Sequence, residues 1–486
     1  MLFTRSAVVG VSLVLSAAFL ATIDSGAAAV PVSDMWLARA LSASVSDRVG
    51  LDTLAELDRF AAVTGGNRAA GSPGFELSRG LVTQTLTSAG YRVTEQPVPY
   101  QRFVVDAERL TIDGTGVRVL MAQYVPSTPV GGVSGAVAVV DAAGADPTPG
   151  CQSGDFPAGP GAVAVVRSGG GCTTAAKATA AAAAGWATLL VYDVSPSPWT
   201  VIRRRATGTP LPVGFVSQLD AQRIAQAVGA GTVELRGHDV PDVTVNVLAE
   251  TTGGSADNVI MAGAHLDSTQ DGPGINDNGS SVAALLQTAM RLAPLQHRVT
   301  NRVRFAFWGA EELVTIGSIY YIATLPADQL AAISLYLNFE MLASPNFVRF
   351  VIDGDDSDHP GTGIPGGPPG SGAVEAVMAQ GYQVQRLPFR TADLADIRSD
   401  QEPFAAVGVP VGGAFGGVRG IKTAEEAAVF GGTAGQHYDP CYHQPCDSLT
   451  DINTGAFGDA LRAIAWAVGR FAVYDDDVDA ASGRGP

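Results

Sequence analysis

Thiols, imidazoles and basic side chains are all scarce in this chain, and each scarcity narrows what it does. Four cysteines occur in 486 residues: Cys151, Cys172, Cys441 and Cys446. Neither local pair has CxxC spacing, which argues against a zinc knuckle. No cysteine lies in the first thirty residues, so lipid attachment there is excluded. Lys and Arg number 30 against 47 Asp and Glu, a formal net charge of −17. A nucleic-acid partner would need a basic face, and this balance argues against one. After the N-terminal segment no apolar run looks membrane-spanning. What remains is ample: 46% of residues are hydrophobic and 7% aromatic. That suits a globular chain of two or three domains.

The chain begins "MLFTRSAVVGVSLVLSAAFLATIDSGAAAV". Arg5 precedes an apolar run from Ala7 to Ile23, and Ala27 to Ala29 supply a small-residue cleavage site. This predicts a secretory signal over residues 1–29. An uncleaved anchor is the alternative, because the run is near the lower length for a spanning helix. The expected product is secreted or extracytoplasmic, with no stable membrane insertion after cleavage. Four cysteines in that compartment allow three pairings, of which the local pairs Cys151–Cys172 and Cys441–Cys446 are expected.

Residues 35–116 read as helical, then extended. "SPGFELSRGLVTQTLTSAG" opens on Ser-Pro, closes on Gly90 and places Leu77, Leu81 and Leu86 near helical spacing. Between 117 and 240 the texture changes to short Val/Ala strands, Gly- and Pro-rich turns and one Ala-rich helix. Glu is absent there until Glu234, and His238 is the one histidine. This predicts an inserted, mainly β module without chemistry of its own. From 241 to 474, "VIMAGA", "RVRFAFW" and "SLYLNF" alternate with helical stretches such as "SSVAALLQTAMRLA". The fold class expected is α/β, with a mixed, largely parallel sheet flanked by helices. The Asp-rich stretch 353–372 lacks the Gly of an EF-hand and reads as a solvated loop. The acidic tail, 475–486, reads as frayed.

Charge gathers where the strands end. "VIMAGA" runs into His265 and Asp267, "RVRFAFW" into Glu311 and Glu312, and "SLYLNF" into Glu340. Ligands of open α/β sheets bind outside the carboxyl ends of strands. Imidazole and carboxylate without thiolate suit zinc, manganese or cobalt. Adjacent residues cannot point the same way on a regular element. One of Glu311 and Glu312 can therefore bind metal while the other serves as general base. Asp277, in "GPGINDNGS", could bridge two ions, and Asp267 is placed to orient the His265 ring.

Taken together, "AGAHLDS…GPGINDNGS", "RFAFWGAEEL", "YLNFEMLASPN", "RSDQEPF" and "GGTAGQHYDPCYHQPCDSL" resemble the M28 family of secreted di-zinc aminopeptidases. "RSGGGCTTAAKATAAAAAGW" is similar to the protease-associated (PA) domain inserted in many members. The resemblance implies the zinc aminopeptidase fold and peptide substrates with a free N-terminus. It assigns His265 and Glu340 to one zinc, Glu312 and His443 to a second, and Asp277 to both. It makes Glu311 the general base and Tyr442 the oxyanion donor, places Arg398 and Asp400 in the substrate pocket, and implies a cis peptide after Asp277. A disulfide, here Cys441–Cys446, flanks the Tyr-His loop in the family. A monomer is expected.

Two positions depart from the family pattern: Glu340 stands where Asp is usual, and Gln401 where His or Tyr is common after "RSD". The latter bears on the substrate pocket. His238, His297, His359 and His437 match no motif and read as surface or structural. Rival readings are a carboxypeptidase, for which Arg386, Arg390 and Arg398 are candidate contacts, a glutaminyl cyclase on the same fold, or a non-catalytic binding homologue.

Overall fold

The computed structural model describes residues 35–141, 144–227, 229–358, 360 and 365–483. The signal segment, His359 and residues 484–486 lie outside the described residues. A central sheet runs in the strand order 390–393, 350–353, 411–415, 333–340, 255–265, 301–308, 230–250 and 92–112. The strands Val411–Phe415, Ile333–Glu340, Ser255–His265 and Asn301–Trp308 are parallel. Antiparallel pairing follows on both sides.

Both faces of this sheet are covered, which is why its strands read as continuous apolar runs. Alternation divides each run. Ile260, Ala262 and Ala264 face one core with Leu285, Phe339 and Ile464. Val259 and Met261 face a second core built on Trp308, Tyr336 and Phe404. The first core is closed by the helices Asp47–Val63, Pro73–Ser88, Ser281–Leu292 and Thr454–Phe471. At Pro73–Ser88 the helix starts as its sequence signals: the Ser72 hydroxyl accepts from the Phe75 amide, and Pro73 occupies the first turn.

Register brings the functional ends level. Trp308 lies opposite His265, and Asn338 opposite Gly263. Because these strands are parallel, the residues that follow them emerge on one rim.

Strands Arg92–Ile112 and Ala230–Glu250 form one long antiparallel ribbon. Its inner half belongs to the central sheet, and its outer half pairs with Val133–Val139. Beyond it lies a third core around Val163–Val166, Leu189–Val191 and Phe215. The insert carries parallel strands, the Ala-rich helix read from the sequence, at Thr174–Ala183, and a further short helix at Gln218–Ile224. Both disulfides are the local ones, Cys151–Cys172 and Cys441–Cys446.

Two sequence expectations need correction. The acidic tail is not frayed over 475–482, because Asp476–Ser482 is a helix with Val478 buried. Asp475 anchors it, accepting from Ser334, Asn258 and Asn301, while Asp477 pairs with the buried Arg470. The Asp-rich stretch is not wholly solvated either. Asp353 ends a strand and is buried, its carboxylate taken up by the amides of Asp355, Ser357 and Asp358.

Candidate metal centre

His265 is the last residue of its strand. Its Nδ1 bonds the backbone carbonyl of Asp267 at 2.9 Å, which directs Nε2 towards the carboxylates. Nε2 lies 3.2 Å from Asp277 Oδ1 and 3.1 Å from Glu340 Oε1. The other oxygen of Asp277 lies 3.1 Å from His443 Nε2, which is 3.0 Å from Glu312 Oε2. Two donor sets result: His265, Asp277 and Glu340, and Asp277, Glu312 and His443. Asp277 contributes one oxygen to each. Glu311 binds in neither set; its Oε2 is 3.9 Å from His265 Nε2.

The backbone around the two glutamates is unusual. Ala310, Val314 and Thr315 all have positive φ, at 59°, 73° and 52°, a conformation that is costly for β-branched residues. The carboxylate of Asp267 holds the turn, accepting the amides of Glu311 at 3.0 Å and Glu312 at 3.3 Å. Asp267 therefore acts on the glutamate pair. Its carboxylate is 3.7 Å from His265 Nδ1, beyond hydrogen-bond reach, so Asp267 meets the ring through its backbone carbonyl.

The loop carrying Asp277 is irregular, with a cis peptide between Asp277 and Asn278. Several side chains fix it. Asp447 accepts the amides of Asn276 at 2.7 Å and Asp277 at 3.1 Å. Asn278 accepts the Met341 amide and donates to the Phe339 carbonyl, tying the bridging loop to the strand that carries Glu340. Arg68 is fully buried and donates to the carbonyls of Leu266, Pro273 and Gly274 at 2.5, 2.9 and 2.5 Å. Gly274 has φ 64°, and a Cβ there would meet the Asp277 carbonyl at 2.3 Å.

Electrostatically the cluster has too many carboxylates for its cations. Burial pushes the Glu311 carboxyl well above its usual range; His265 opposes this, while Asp400, Glu340 and Glu312 add to it. Burial lifts Glu312 to about 7 against the pull of His443. Burial disfavours the charged His443 ring, yet Glu312 and Asp277 raise it to about 10. Glu312 Oε1 is buried with no hydrogen-bond partner among the described residues. An orphaned buried carboxylate oxygen among nitrogen and oxygen donors is what a divalent cation would satisfy, and the residues fit zinc.

The remaining candidates sit as follows. Tyr442 stacks on His443 with ring centroids 3.7 Å apart and lines the cleft leading to the cluster. Asp400 is fully buried and accepts from Ser318 Oγ at 2.5 Å. Arg398 is exposed, and neither Arg398 nor Asp400 lines that cleft. Gln401 is also buried, donating to the Ile397 carbonyl, and does not line that cleft. Sequence reasoning missed Ser399, whose hydroxyl donates to Glu340 Oε2 at 2.8 Å, and also Arg68 and Asp447. Ser399 stands inside the quoted "RSD" and Asp447 inside "PCDSL", so the motifs held them without revealing their contacts. His437 is structural, bonded to Ser195 and to the Arg419 carbonyl. His238 is exposed beside Asp106, and His297 is exposed.

A rim of buried imidazole and carboxylate donors on an α/β sheet suits a metal-dependent hydrolase, and sequence comparison makes the class a peptidase. Residues 246–468 match Peptidase family M28, and residues 133–224 match the PA domain. An aminopeptidase of Pseudomonas aeruginosa is 37% identical, the match covering 88% of this chain and 82% of the relative. The probable lipoprotein aminopeptidase LpqL of Mycobacterium tuberculosis is 38% identical, covering 91% and 89%. The fold is shared with BSAP, a zinc aminopeptidase from Bacillus subtilis, at TM-score 0.67 and 20% identity, covering 87% of this chain and 94% of that one. The chain belongs to peptidase family M28, carries a PA insertion and is a peptidase.

Proposed function

We propose that this peptidase is a secreted aminopeptidase that works with two zinc ions. The observation that carries the reading is the division of Asp277 between two donor sets, with Glu311 beside both and bound in neither. His265 and Glu340 would hold one ion, Glu312 and His443 the other. When bound, the ions supply Lewis acidity to the scissile carbonyl and to water. Glu311 takes the proton of the attacking water and delivers it to the leaving amine. Tyr442, held against the His443 ring, donates to the oxyanion. The substrate ammonium sits beside Glu311 and Glu340, which selects a free N-terminus. The signal pattern at residues 1–29, the two disulfides and the lipoprotein relative support an extracytoplasmic site of action. We assign residues 117–240 to the insert and 35–116 with 241–474 to the peptidase domain, acting as a monomer.

The test is a panel of aminoacyl-p-nitroanilides with bound zinc measured in parallel. The expected result is about two zinc ions per chain, loss of turnover on chelation and recovery with zinc or cobalt. Full activity in a metal-free preparation would overturn the reading.

A further inference from the structure

A cleft of about 740 Å³ lies between the insert and the peptidase domain and opens onto Glu312, Tyr442 and His443. His265, Glu311 and Glu340 do not line it, and His265 and Glu340 are buried. If the substrate amine is held beside Glu311 and Glu340, the chain beyond the scissile bond runs into this cleft. What lines it downstream therefore selects the leaving peptide.

Five guanidinium groups line the cleft in a protein of net charge −17. Four are neutralised. Arg102 pairs with Asp242 at 2.6 Å. Arg203 is bound by both Glu108 and Asp271. Arg204 and Arg419 share Asp193. The fifth, Arg205, has no carboxylate partner among the described residues. It is exposed, its guanidinium lies 4.4 Å from the centroid of the Tyr124 ring, and Nη1 donates to the Leu313 carbonyl at 3.0 Å. Leu313 follows Glu312 directly. The stack and the single hydrogen bond hold the cation next to the metal centre and leave most of its five donors unused.

We propose that Arg205, contributed by the insert, is a specificity-determining residue that binds a carboxylate of the leaving peptide. That carboxylate is either the C-terminus of a short substrate or an acidic side chain just beyond the scissile bond. The proposal rests on the aminopeptidase reading of the site. Planar, bidentate donors favour carboxylate over other acceptors. The neighbouring guanidinium groups already carry a carboxylate each or share one, so a substrate carboxylate beside them would meet a charge that is already balanced.

The experiment holds constant the N-terminal residue, Xaa, that is turned over fastest as a p-nitroanilide. Zinc-loaded wild type, Arg205→Met and Arg205→Lys are compared on Xaa-Gly against Xaa-Gly-amide, and on Xaa-Asp-amide against Xaa-Asn-amide. Arg205→Met should lower kcat/KM about fivefold on one or both carboxylate-bearing substrates, mainly through KM. Turnover of the p-nitroanilide and of the two uncharged amides should be unchanged, and Arg205→Lys should retain part of the discrimination. The first pair reports a C-terminal carboxylate and the second an acidic side chain. An equal fall on every substrate would mean that Arg205 only braces Leu313, and would overturn the proposal. So would undiminished kcat/KM on both carboxylate substrates. No p-nitroanilide turnover by zinc-loaded wild type would remove the aminopeptidase reading, and this assignment with it.

Discussion

The hydroxyl of Ser399 donates to Oε2 of Glu340 at 2.8 Å, while Oε1 of the same carboxylate faces His265 Nε2 at 3.1 Å. One oxygen is thus taken by a hydroxyl, and the other faces the imidazole with which it would share a metal ion. Glu340 is one methylene longer than the Asp usual in the family, and the Ser399 hydroxyl is a hydrogen-bond partner that can steady the longer side chain. Ser399→Ala should weaken retention of one of two bound zinc ions by about tenfold, as loss of an outer hydrogen bond to a ligand does. Chelator competition followed by metal analysis checks this. Simultaneous release of both ions, at the wild-type chelator concentration, would show that Glu340 needs no such support.

Glu311 lies 3.9 Å from His265 Nε2 and belongs to neither donor set. Glu311→Gln keeps the shape and removes the proton acceptor. The expected result is a fall in kcat of about 10²- to 10⁴-fold with both zinc ions retained. Steady-state kinetics beside zinc analysis decide it. Loss of most of the zinc would mean that Glu311 and Glu312 have exchanged roles.

Arg68 spans three backbone carbonyls within the loop between His265 and Asp277. Burial lowers its guanidinium to about 10, while Asp447, Asp267, Asp277 and Glu312 oppose that fall. It therefore stays charged near neutral pH. Arg68→Met would leave buried carbonyls unsatisfied and should cost about 3 kcal/mol or more of stability. Arg68→Lys should recover only part, since one ammonium cannot reach all three acceptors. Urea unfolding of the two variants measures the loss, and a wild-type midpoint for Arg68→Met would refute it.

Glu375 is buried against Gly354, whose amide donates to it at 2.8 Å. Burial raises its carboxyl to about 8; that amide opposes the rise, and Asp353, Asp355 and Asp358 add to it. An acid raised in the folded state stabilises the fold below its unfolded value, and the contribution fades as pH climbs through the folded one. The window is therefore about 4.5 to 8. Glu375→Gln cannot ionise, so it should melt above wild type at pH 9 and close to it at pH 5. Thermal unfolding at the two pH values checks this, and a pH-independent difference would count against the burial argument.

What the sequence by itself determined is local. Short continuous apolar runs specified the strands. Because a parallel strand delivers its end to one rim, His265, the Glu311–Glu312 pair and Glu340 were already marked as a cluster. Capping chemistry at Ser72 and turn residues around Asp277 were legible for the same reason: neighbouring residues decide them. Tertiary structure decided everything that depends on long-range packing. No periodicity announces that Ser399 meets Glu340, or that Arg68 reaches the loop before Asp277. Nor does it reveal that the Asp267 carboxylate serves the glutamate turn while its carbonyl holds His265. The tail looked frayed because its charge suggested solvent, and only the buried hydroxyl and amides around Asp475 made it a helix. Arg205 is the clearest case. Composition shows a scarcity of basic residues, but which guanidinium groups are neutralised follows from contacts between the insert and the peptidase domain.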